Sequence, residues 1–199
     1  MIYFSKETRP GWIYVLVMLA VMAIGQLFDL GDLRYQYDWL ATHEYWRLLT
    51  AHWVHVNWRH LMLNGLGLLL CMSIASPRWL IRHWVIYNLI LAFGISILFW
   101  LRNPQLEWYA GYSGVLFGLY LLAAVDLYPR EKIVALLLAA AISIKVILEQ
   151  TSDLQLNSSE FIGSPVIVDA HLYGLLLGLS IALVQRAYTM GDRSDKTGV

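Results

Sequence analysis

A serine hydroxyl attacks a carbonyl at neutral pH only when an adjacent base takes its proton. Two stretches of this chain could supply that pair: Gly111-Tyr112-Ser113-Gly114, and Ala170-His171-Leu172-Tyr173-Gly174-Leu175-Leu176-Leu177-Gly178. On a helix, His171, Gly174 and Gly178 fall on one stripe, and small residues along a stripe let a neighbouring helix come close. Gly111, Gly114 and Gly118 offer a matching stripe. If the two stripes pack, His171 reaches Ser113. A serine at a loop-to-helix boundary also has its backbone N–H among the unpaired donors of the first turn. The blander reading is a helix-capping serine, glycines that serve packing, and an incidental histidine.

His60-Leu61-Met62-Leu63-Asn64 places a histidine and an asparagine four residues apart, on one helical face. Together they offer N–H donors of the kind an oxyanion needs, or they are polar links between helices. Asp169 is the obvious third acid for a triad. Two residues before His171, it lies about 200° around the axis and points away, so a Ser113–His171 dyad is expected. Phe117, one turn after Ser113, either stacks on the imidazole or fills the core. No metal or other cofactor is implied: there is no HExxH, and the six histidines are not at ligand spacing on one helix.

The elements that must position these residues are apolar. Of 199 residues 59% are hydrophobic and only 14% charged, more apolar surface than a soluble globule of this size can cover. The net charge of zero gives no reason to expect nucleic acid as a partner. Six apolar stretches stand at about 11–28, 60–75, 79–101, 112–127, 133–148 and 166–184. The expected fold is all-α: a polytopic membrane protein in one domain, 1–199, bathed in membrane lipid. A span needs ~20 residues; the second, fourth and fifth stretches are shorter, and short segments in a bundle can be buried centrally. The first is too long for a signal peptide and is read as a retained span. Cys71, within the second, reads as a small core residue.

Nine lysines and arginines (Lys6, Arg9, Arg78, Arg82, Arg130, Lys132, Arg186, Arg193, Lys196) flank one set of span ends, and four flank the other. Lys145 lies inside the fifth span. This asymmetry predicts cytoplasmic termini. The far side is acidic, with Asp29, Asp32, Asp38, Glu44, Glu107, Asp153 and Glu160, and it carries two long loops. One, about 29–59, is rich in tyrosine and tryptophan and is expected to lie in the membrane interface. The other, about 149–165, is polar.

Taken together, Glu44-Tyr45-Trp46-Arg47-Leu48-Leu49-Thr50, His60-x-x-x-Asn64, Gly111-x-Ser113-Gly114 and Ala170-His171-x-x-Gly174-x-x-x-Gly178, in this order on these spans, resemble the rhomboid family of intramembrane serine proteases. The resemblance implies a six-span bundle with Ser113 as nucleophile and His171 as base. It implies an oxyanion hole of His60, Asn64 and the Ser113 N–H. It also implies Phe117 on the histidine, a structural Trp46-Arg47 loop, and a fifth span that, with the loop after it, gates substrate entry. The run His52-Trp53-Val54-His55-Val56-Asn57-Trp58-Arg59-His60 is most similar to the rhombosortase subgroup. That subgroup implies bacterial substrates with a C-terminal Gly-Gly, an apolar helix and a basic tail, cut at the periplasmic side of the inner membrane. A general rhomboid protease acting on other single-span substrates is the alternative. An inactive client-binding relative should lack Ser113 or His171, and a small transporter should show internal symmetry.

Overall fold

The computed structural model describes residues 9–76, 78–151 and 158–196; Lys6, Pro77 and Asp153 lie outside the described residues. The chain opens with α1 (Arg9–Gly25), then a loop holding α2 (Leu30–Leu33), β1 (Tyr35–Gln36) and α3 (Arg47–Thr50). α4 (Trp58–Ile74) and α5 (Ile81–Arg102) follow, then β2 (Trp108–Tyr109), α6 (Ser113–Leu127) and α7 (Lys132–Thr151). The short α8 (Ser158–Ile162) precedes α9 (Asp169–Lys196).

α5, α7 and the Asp169–Tyr188 part of α9 are long and apolar enough to cross a membrane, while α6 and Gly11–Gly25 of α1 are apolar but shorter. Their outward faces are oily: Leu16 and Ile24 on α1, Leu66 and Leu70 on α4, Ile133 and Leu137 on α7, and Leu183 and Val184 on α9 are all exposed. A protein surrounded by water would not present such faces on every side. The chain is an integral membrane protein of mostly helical fold.

α6 is the centre of the bundle. Ten of its fifteen residues are buried, as expected for a helix too short to span alone. α7 is the reverse: as a helix of twenty residues it is longer than the fifth apolar stretch, and it lies largely exposed. Only Ala135 and Val146 of its twenty residues are buried. The apolar run ends at Leu148, but the helix continues to Thr151 because each polar residue there has a partner. Glu149 bonds His171, Gln150 bonds Asp169, and Thr151 Oγ donates to the Ile147 carbonyl.

The helices are linked by buried polar contacts. Asn88 of α5 donates to Tyr14 Oη of α1 at 2.8 Å, and Tyr120 Oη of α6 donates to the Gly67 carbonyl of α4 at 2.7 Å. Ser96 of α5 bonds His52 and the Leu48 carbonyl. Cys71 is fully buried. The helical bundle also carries a small antiparallel ribbon, in which Tyr35 pairs with Tyr109 and Gln36 with Trp108. It ties the first loop to the segment that leads into α6.

That loop is organised around Arg47, which is buried. Its guanidinium grips both Glu44 carboxylate oxygens at 2.9 and 3.0 Å and donates to the carbonyls of Gly31 and Arg34 at 2.6 and 2.9 Å. Trp46, half exposed, donates its indole N–H to the Asp32 carbonyl. Removing the guanidinium orphans acceptors, at ~1–3 kcal/mol for each one that stays dry. Arg47→Ala should therefore lower the melting temperature in detergent. Hydrogen bonds from Arg47, and then from Thr42, hold the Glu44 carboxyl below its usual range. The contribution of this pair is thus complete above a pH of about 4.3 and fades as the pH falls through the lower folded value. The stability gap between wild type and Arg47→Ala should narrow at strongly acidic pH by the Glu44 share alone, while the share of the Gly31 and Arg34 carbonyls persists, which thermal melts across pH will check.

Candidate active site

Ser113 is the first residue of α6, and Tyr112 holds the cap position with no side-chain cap bond. The serine hydroxyl is therefore not spent on capping. Its Oγ lies 2.9 Å from Nε2 of His171.

Glycine sets this approach. A Cβ on Gly114 would stand 2.8 Å from the Ala170 carbonyl oxygen, and one on Gly118 2.8 Å from that of Gly174. One on Gly178 would stand 2.7 Å from the Gly118 carbonyl oxygen, and one on Gly174 would collide with the Gly114 carbonyl. α6 and α9 thus touch main chain to main chain, with His171 one turn before Gly174. Gly111 does not belong to this stripe, contrary to the sequence expectation. It precedes the helix at φ +139°, a region that glycine adopts without strain. A Cβ there would fall 2.6 Å from Cε1 of His60, so Gly111 packs on α4 instead.

His171 is 3% exposed, and Phe117 stacks on its ring at 4.4 Å between centroids and 15° between planes. Its other nitrogen, Nδ1, lies 2.7 Å from a carboxylate oxygen of Glu149, whose second oxygen pairs with Lys145. A carboxylate only accepts, so Nδ1 carries the proton and the bare Nε2 accepts from the serine hydroxyl. Asp169 makes no such contact; it accepts from Asn103 at 2.5 Å and Gln150 at 3.3 Å. The sequence points to Ser113 and His171 alone; the structure also brings the Glu149 carboxylate of α7 to His171. Sequence reading missed Glu149 because the fifth apolar run was closed at residue 148. The available signal was Lys145 and Glu149, four residues apart in an apolar helix.

α4 borders the serine from the opposite side. Asn57 caps this helix, its Oδ1 accepting from the His60 N–H at 3.0 Å while its Nδ2 donates to the Ile162 carbonyl. His60 and Ser113 line a cavity of ≈ 290 Å³, together with Trp108, Tyr109, Pro165 and Ile167. Asn64 lies one turn further along α4, between the His60–Gly111 and Gly67–Leu116 contacts with the α6 region. Among the described residues, its buried amide nitrogen has no hydrogen-bond partner, nor has Nδ1 of His60. Unmet buried donors are uncommon and call for an explanation. Behind His60, the ring of His55 meets it edge-on at 5.0 Å. Burial holds His55 and His52 down to about 3, so the loop behind the site carries no charge from them at neutral pH.

Trp46 and Arg47 are not brought to Ser113. They act at one remove: Arg47 opens α3, and the carbonyl of Ala51 at its end accepts the Gly111 N–H at 2.9 Å.

A helical membrane bundle that places a serine hydroxyl on a buried imidazole has the architecture of an intramembrane protease. Residues 42–188 match the family model of the Rhomboid domain. The chain belongs to the rhomboid family, whose members are generally intramembrane serine proteases acting on transmembrane substrates. No curated protein sequence matches the chain.

Proposed function

We propose that this protein is an intramembrane serine endopeptidase with Ser113 as nucleophile and His171 as general base. The observation that carries this reading is the 2.9 Å hydrogen bond between Ser113 Oγ and His171 Nε2, inside a bundle of apolar helices. Six spans, α1, α4, α5, α6, α7 and α9, cross the bilayer with both termini cytoplasmic and Ser113 toward the far side. The protein sits in a bacterial inner membrane.

In the reaction, a substrate helix reaches the site from the bilayer and unwinds beside Ser113. His171 takes the hydroxyl proton as Oγ bonds to the peptide carbonyl carbon, and the carbonyl oxygen becomes an oxyanion. His60, Asn64 and the Ser113 N–H donate to it; one such donor is worth ~3 kcal/mol. The imidazolium gives its proton to the leaving amine, the C–N bond breaks, and water or another amine resolves the acyl-enzyme. Similarity to the rhombosortases in the run 52–64 supports substrates with a C-terminal Gly-Gly, an apolar helix and a basic tail.

Mass spectrometry of the new C-terminus of such a substrate tests this reading. Cleavage near Gly-Gly is expected. Cleavage confined to substrates with N-terminal anchors would sink the rhombosortase assignment and keep the protease. A fluorophosphonate that fails to label Ser113 would sink both.

A further inference from the structure

The bundle holds an acid that a serine–histidine mechanism does not require. Glu149 of α7 is 4% exposed at its side chain, although α7 is otherwise the least buried of the long helices. Withdrawing a carboxylate from water is costly unless it is both paired and hydrogen-bonded. One oxygen meets the Lys145 ammonium a turn earlier, and the other meets His171 Nδ1 at 2.7 Å. A Lys–Glu pair at this spacing forms equally well on the outside of a helix, and Lys145 itself is 37% exposed. The pair alone does not account for burial of the acid. The imidazole does.

Resting on the serine-protease reading, we propose that Glu149 is the positioning acid of a Ser113–His171–Glu149 triad. Phe117 sets the plane of the imidazole, and the carboxylate sets its rotation within that plane. By accepting from Nδ1–H it holds the tautomer whose bare Nε2 faces Ser113. When the serine proton passes to Nε2, the Nδ1 proton stays on the ring. Glu149 stays ionised beside the imidazolium and stabilises it. Lys145 balances the carboxylate before reaction, so the resting cluster is close to neutral. Among the described residues, α4 also brings the ionisable His60 near the ring, while α6 presents the uncharged Ser113 and Phe117. Asp169, on the same helix as His171, is turned to Asn103 and Gln150.

The test uses the full-length protein in detergent and measures the rate of fluorophosphonate inactivation, kcat and KM for a transmembrane substrate, and the melting temperature. Glu149→Gln keeps the size of the side chain but presents an amide that can donate to Nδ1 and favour the wrong tautomer. Inactivation rate and kcat should each fall by ~10²–10⁴-fold, with KM and melting temperature unchanged. Wild-type reactivity in Glu149→Gln would overturn the triad and leave Ser113 and His171 standing. A wild-type protein that is not labelled at Ser113 would overturn the protease reading itself. If Glu149→Gln melts early, Glu149→Ala with added formate decides. Recovery of rate supports a carboxylate acting on the imidazole, and no recovery overturns it.

Discussion

Ser113→Ala should abolish measurable cleavage of a transmembrane substrate, a loss on the order of 10⁴-fold or more, with no change in melting temperature. The hydroxyl hydrogen-bonds His171, and the cap position of α6 belongs to Tyr112, so its removal leaves the bundle intact. His171→Ala should be equally inactive, and the double variant no worse than either single one. Groups that act as a unit lose their effect together. Asn64→Ala should behave differently. If its unpartnered amide serves the oxyanion, kcat falls by only ~10²–10³-fold, and Ser113 still reacts with a fluorophosphonate, slowly. Full cleavage by Ser113→Ala would end the serine mechanism. Additive losses in the double variant would mean that the two residues work separately.

The largest effect on folding is expected at Gly174. Any side chain there runs into the main chain of Gly114, which no change of rotamer relieves. Gly174→Val should force α6 and α9 apart and cost more than ~4 kcal/mol, enough to unfold most proteins of marginal stability. Gly163→Ala provides the contrast. Gly163 has a positive φ, of 73°, and among the described residues nothing lies within 4 Å of a Cβ there. The cost is then about 1 kcal/mol of backbone strain. Gel filtration and thermal melts in detergent should show Gly174→Val aggregated and Gly163→Ala nearly wild type. A monodisperse, fully melting Gly174→Val protein would show that the helix contact is softer than its geometry.

The parts of this site that share a helix with an obvious pattern could be read from the chain. The spacing of His171, Gly174 and Gly178 against Gly114 and Gly118 contains the contact that joins serine to histidine, because small residues on a stripe have few other uses between membrane helices. The place of Phe117 one turn beyond Ser113 is likewise a matter of helical period. Glu149 was not legible. Its role depends on a helix continuing past its apolar run, and that continuation is set by tertiary partners rather than by local hydropathy. Gly111 was placed on the wrong neighbour because helical periodicity was extended one turn before the helix starts. The Tyr35–Tyr109 ribbon, two residues long on each side, has no periodicity to detect.

The main-chain contact between α6 and α9 has a consequence beyond stability. Bilayers differ in thickness, and helices answer by tilting or sliding at a cost of fractions of a kcal/mol per Å. An interface of interleaved side chains can yield to such forces. Two backbones already at contact distance cannot come closer, so α6 and α9 move as one beam. α7 exposes most of its length to the lipid, yet near its end Glu149 and Gln150 tie it to the same beam through His171 and Asp169. The reacting atoms are thereby referenced to the peptide chain itself, like marks on a single ruler, whatever membrane surrounds them.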